Sequence, residues 1–174
     1  MKKQAELESP STNFDVNRLQ KPAGFDVLAE QFMAEFVDKP IHELRSEMQA
    51  TPEAIVAYNA KLRFFQFATV LLAVMNEEHK NPEYSPIRTE LERQFLPPTF
   101  ARGANVFDEI RSAMTSLSDL MTPRENPHHL TWSLKWFESV GIEENNPVVL
   151  HSFGTRWLAF FTTLTKALRS FNPG

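Results

Sequence analysis

The clearest periodicity in the chain lies near its C-terminal end, where Val149, Phe153, Trp157, Phe160, Leu164, Leu168 and Phe171 recur at intervals of four, four, three, four, four and three residues. That spacing returns to one side of a helix and predicts a long amphipathic helix over 147–171. Leu150, Leu158 and Phe161 widen the apolar seam, while Ser152, Thr155, Arg156, Thr162, Thr163, Lys166 and Arg169 fall opposite it. A second predicted helix, 52–79, is patterned differently. Between Phe64 and Met75 its apolar residues point nearly all round, as expected of a central helix. Its one polar stripe, Asn59, Arg63, Gln66, Thr69 and Asn76, must reach solvent or line an internal cavity. The apolar run covers 12 residues, whereas a bilayer-spanning helix needs roughly 20. It reads as core, not membrane.

Prolines punctuate the rest. Thr51-Pro52, Ser85-Pro86, Asn126-Pro127 and Asn146-Pro147 each set a capping side chain before a proline and an apolar-periodic segment. This is the pattern of an N-cap followed by proline at the first helical position, where a missing N–H costs nothing. Helices are expected near 24–38, 40–49, 52–79, 86–95, 104–121, 127–140 and 147–171. Pro97-Pro98 should end the fourth, Asn81-Pro82 bars extension of the third, and Gly141 stands where a left-handed glycine cap belongs. Gly154, inside the last helix, costs about 1 kcal/mol relative to Ala and predicts close approach of a neighbouring helix. No segment alternates like a strand. The expectation is an all-α, single-domain bundle of about six to seven helices over 24–174, preceded by a flexible N-terminal tail over 1–23.

Composition sharpens this picture. There are 15 Phe beside 2 Tyr and 3 Trp, and 12 Pro against 5 Gly. The phenylalanines are spread over nearly all the expected helices, as packing knobs with no hydroxyl to satisfy. A formal charge of −4 offers no net positive field for a nucleic-acid backbone or an anionic membrane. The absence of cysteine excludes disulfides, thiolate zinc sites, iron–sulfur clusters and cysteine nucleophiles. Together with an N-terminus lacking the apolar run of a signal peptide, it fits a cytoplasmic protein. Charge is uneven: in 24–50 Asp26, Glu30, Glu35, Asp38, Glu43 and Glu47 outnumber Lys39 and Arg45, whereas 146–174 carries Arg156, Lys166 and Arg169 and no acid. These read as ordinary solvated faces, with the terminal cations favoured by the helix macrodipole; the alternative is pairing of the first helices with the last, within one chain or across a dimer.

Candidate chemistry is sparse. Five histidines are present, His42, His79, His128, His129 and His151. Glu125 and His128 match a Glu-x-x-His metal motif in letters, but Pro127 breaks the common helix face and there is no second copy, so no metal site is expected. A haem would need one axial imidazole, and His79 or His151 could supply it. His128 and His129, in the first turn of a helix with Arg124 nearby, form a candidate anion site. No nucleophile elbow, Walker loop or dinucleotide fingerprint occurs, and 86–95 balances Arg88 and Arg93 against Glu90 and Glu92, unlike a DNA-recognition helix. No catalytic residue is assigned. The leading reading is a small cytoplasmic helical binding or regulatory module that acts through protein–protein contact, with itself as a homodimer or with another protein. The alternative is a binder of a small molecule or cofactor such as haem. Its pocket would lie between the central and last helices and be lined by phenylalanines, Arg63, Gln66, Trp157 and Phe161.

Overall fold

The computed structural model describes residues 24–44, 50–100, 105–122 and 128–171, without the side chains of 98–100. Among the described residues there are six α-helices: α1 (Phe25–Phe32), α2 (Pro52–Lys80), α3 (Ser85–Phe100), α4 (Val106–Met121), α5 (His128–Ser139) and α6 (Pro147–Ser170). No strand occurs among the described residues, so the domain is all-α as expected. The tail over 1–23 lies outside the described residues.

The proline-first starts work as the spacing predicts at two of the four places. The Thr51 side chain accepts from the Ala54 N–H at 3.2 Å ahead of Pro52, and Asn146 accepts from the Val148 N–H at 3.0 Å ahead of Pro147. Asn126-Pro127 lies outside the described residues. Ser85 departs from expectation. A 3₁₀ turn, Pro82–Tyr84, runs straight into α3, so Ser85 is already helical and the capping oxygen is that of Asn81, on the Glu83 N–H at 3.1 Å. Helix α3 also runs through Pro97 and Pro98 instead of ending before them. Upstream, Ile87, Leu91 and Phe95 are buried, and the Phe95 ring stacks on Phe67 at 3.8 Å. The helix axis is thus fixed before the prolines, whose own φ is helical. Gly141 adopts φ +76° and closes α5 as expected, with the Ile142 N–H on the Phe137 carbonyl at 3.0 Å.

Helix α2 is the centre. It packs against α3, α4, α6 and the end of α1, and its middle is buried on all sides. Helix α6 lays Phe153, Trp157, Phe160, Leu164 and Leu168 into the core, the seam expected from their spacing. Helix α5 crosses α6 at Gly154, where an added Cβ would stand 3.2 Å from both the His129 Cβ and the Ser133 Oγ. Close helix approach is therefore the reason for that glycine.

The stretch expected as a helix over 40–49 differs. Residues 40–44 are not helical, with a bend at 41–42, and 45–49 lie outside the described residues. The cause is tertiary. Helix α1 ends in a π-helical turn, Met33–Val37, closed by the Asp38 N–H on the Met33 carbonyl at 2.8 Å. The backbone groups released there are taken by Gln66 of α2. Its amide nitrogen donates to the Phe36 carbonyl at 2.8 Å and the Lys39 carbonyl at 2.7 Å, and its oxygen accepts from the Ile41 N–H at 3.2 Å. The Lys39 carbonyl, the first acceptor that a helix starting at 40 would use, is thus bonded to the core instead.

At the other end of α2 a buried carboxylate does similar work. Glu77, 5 % exposed, accepts from Arg169 of α6 at 3.1 Å and from Lys80 at 3.3 Å. Beside it the Tyr84 hydroxyl is shared between the Leu168 and Phe171 carbonyls at 3.0 and 3.2 Å, capping the end of α6. Arg169 pairs with α2, while Glu35 and Asp38 pair with Lys39 and Arg63.

Two predictions follow from these clamps. Gln66→Leu leaves two carbonyls and one N–H without partners and should destabilise the protein by about 3 kcal/mol in urea unfolding. Burial pushes the Glu77 carboxyl up, but the hydrogen bonds and charges of Arg169 and Lys80 outweigh it and hold the group below the usual carboxylate range. A lowered folded-state value stabilises above the unfolded value and is lost as pH falls through the folded one. Glu77→Gln should therefore be less stable than wild type by about 1–2 kcal/mol at pH 7, the gap closing below about pH 4.

Candidate functional site

The residues proposed from sequence to line a pocket face different neighbours of α2. Gln66 is 1 % exposed and its amide is committed to backbone. Arg63 lies on the α3 side, its guanidinium 4.8 Å from the Phe95 ring centre and 3.4 Å from Asp38. Trp157 is 1 % exposed on the α6 side, among Phe65, Phe153 and Phe160 with ring centres 5.7, 6.0 and 6.1 Å away. Phe161 is half-buried against the edge of the core. His79 stands exposed in the last turn of α2. Of the anion-site candidates, Arg124 lies outside the described residues, whereas His128 and His129 begin α5 side by side. They are joined by His151 of α6, whose ring stacks on that of His129 at 5.8 Å. Among the described residues no group of three His, Asp or Glu side chains is arranged to hold a metal ion, and no helix is long and apolar enough to cross a membrane.

Two arrangements carry no signal in the sequence. The first is His42, on the bent segment after α1. It is buried beside Phe153, at 5.2 Å and nearly perpendicular, and beside Phe137 and Tyr58. The Tyr58 hydroxyl donates to the His42 carbonyl at 2.5 Å and lies 2.9 Å from its Nδ1. Burial raises the Tyr58 phenol well above its usual value; Arg156 opposes this and Glu43 adds to it. Tyr58 is a neutral donor throughout the physiological range. No periodicity marks a residue that enters the core from a loop. The second is Lys61, whose ammonium sits 5.1 Å from the Trp136 ring centre and 5.4 Å from that of Phe65 and donates to Ser139. Burial lowers its basicity, Glu109 works against that, and the aromatic faces favour the charged form.

An open groove of about 830 Å³ lies between the start of α1 and the first half of α3. Its floor and walls include Phe25, Pro82 and Pro86, and its charged groups are Asp26, Glu83, Glu90 and Arg93. Gln94 donates to the Asp26 carbonyl at 3.2 Å and ties the two helices at that point. Arg93 is engaged by Glu90 at 2.7 Å. That hydrogen bond, with the charges of Glu90, Asp26 and Glu30, raises the guanidinium above its usual value. The groove therefore presents two further carboxylates, Asp26 and Glu83, and a Phe25 ring that is 36 % exposed. No family model, curated protein or solved structure matches the chain.

The His42–Tyr58 contact is open to direct measurement. Tyr58→Phe removes the donor to a buried carbonyl while keeping the ring, and should cost about 2 kcal/mol in urea unfolding with the helical content unchanged.

Proposed function

We propose that this protein is a helical binding module that acts through protein–protein contact, and that the groove between α1 and α3 receives a short basic segment of a partner. The supporting observation is the character of the groove: it is wide and open, bordered by two prolines, with an exposed phenylalanine beside carboxylates whose one cation is already paired. An open groove suits an extended segment better than an enclosed small molecule. Surplus acid selects basic side chains, and the Phe25 ring supplies the apolar contact that charge alone lacks. A cytoplasmic setting belongs to the same reading. Self-association is a weaker part of it, since the seam of α6 is covered within the chain by α2 and α5.

The test is fluorescence anisotropy with a labelled ten-residue peptide of alternating Lys and Leu, against an Asp/Leu peptide as control. The basic peptide should bind, and affinity should fall on raising salt from 50 to 300 mM. The double substitution Asp26→Asn with Glu83→Gln should weaken binding roughly tenfold. Equal binding of the acidic peptide, or unchanged affinity in the double variant, would overturn the proposal.

A further inference from the structure

Helix α5 opens with His128 and His129, and α6 brings His151 against them from its second turn. The ring centres of His128 and His129 are 6.1 Å apart, and those of His129 and His151 are 5.8 Å apart with the rings 30° from parallel. This contact is built into the helix crossing. Gly154, one turn beyond His151, lets the two backbones approach so closely that an added Cβ would meet the His129 Cβ at 3.2 Å and the His129 carbonyl at 3.4 Å. His128 is held from a third side, its Nε2 lying 2.8 Å from the Asp119 carbonyl at the end of α4.

The surroundings of His129 disfavour positive charge. His128 and His129 occupy the first turn of α5, where unpaired N–H groups form the positive end of the helix dipole. Helix α6 contains no acidic residue; the Thr155 hydroxyl donates to the His151 and Ser152 carbonyls of the same helix, and Arg156 is its nearest fixed charge along the chain. Helix α5 itself carries Lys135 and Glu138, two or more turns away, and α4 contributes Asp119. Arg124 and Glu125, which precede α5, lie outside the described residues. Burial, then the charges of His151 and His128, hold the His129 imidazole below its ordinary value.

We infer that His128, His129 and His151 form a proton-operated latch between α5 and α6, closed while the His129 ring is neutral in the stack, and opened at the start of α5 when that ring takes up a proton. A histidine with a lowered folded-state value contributes full stability above its unfolded value and loses it as pH falls. The opening therefore occurs on acidification from about pH 7 towards pH 5. It is local: the crossing at Gly154 and the aromatic contacts of Trp132, Trp136 and Phe137 with Phe153 anchor the rest of α5. The docking groove lies between other helices and is independent of it.

The experiment combines histidine NMR titration with hydrogen exchange of the full chain, reported as protection factors so that intrinsic pH effects cancel. Between pH 7.5 and 5.5, protection of the amides in the first two turns of α5 should fall about tenfold relative to α2. His151→Phe keeps a ring in the stack and removes one charge; it should reduce that fall to less than about threefold and raise the His129 midpoint. His151 is exposed, so the variant retains the core. An unchanged protection profile in His151→Phe, or a wild-type His129 midpoint at or above about 6.5, would overturn the inference.

Discussion

A helix enclosed on every side has no place for a side-chain amide unless the surrounding chain bends to meet it. Gln66 is that side chain, and its three bonds to backbone organise the molecule around α2. They receive the groups released by the π turn at the end of α1, stop that helix, and direct the following residues inwards. His42 then reaches Tyr58 and the Phe137–Phe153 contact. One amide thus couples the position of α1 to the packing of α5 and α6, and burial makes any partial loss of its bonds costly.

The rest of the core is aromatic, and its polarity is handled unevenly. Trp132 donates to the Ser116 carbonyl at 2.9 Å. Trp136 and Trp157 bury their indole nitrogens with no oxygen acceptor. Around them stand aromatic faces: Phe65 lies 5.7 Å from each indole, at 85° and 60°, and Phe153 meets Trp157 at 87°. Such faces are weak acceptors for N–H groups. The abundance of Phe over Tyr has a physical sense here, because each ring can turn edge or face to its neighbour without a hydroxyl needing a partner.

How much of this was legible in the sequence follows from where the information resides. Periodicity and capping are local, so α2, α6, Thr51, Asn146 and Gly141 were readable from spacing alone. Gly154 was readable as a sign of close approach, though not of what approaches. The Gln66 clamp, the bend at 41–42 and the buried His42 depend on partners 16 to 30 residues away, and no pattern in either segment announces them. Pro97-Pro98 misled for a related reason: the rule that prolines end helices is local, and the stacking of Phe95 on Phe67 overrides it. Among candidate sites, the pairing of His128 with His129 was visible. Their meeting with His151 was not, and the groove between α1 and α3 leaves no sequence trace because it is made of ordinary surface residues.

The distribution of the indoles has a consequence for how the molecule can be watched. All three tryptophans sit within one cluster: Trp132 and Trp136 on α5 and Trp157 on α6, each touching Phe65 of α2. Helices α1 and α3 and the π turn contain none. Intrinsic emission therefore reports on one side of the central helix and is blind to the other. A change that loosens α1 from α3 would pass unseen in tryptophan fluorescence while altering far-ultraviolet dichroism, so the two signals divide the domain into halves that can be followed separately.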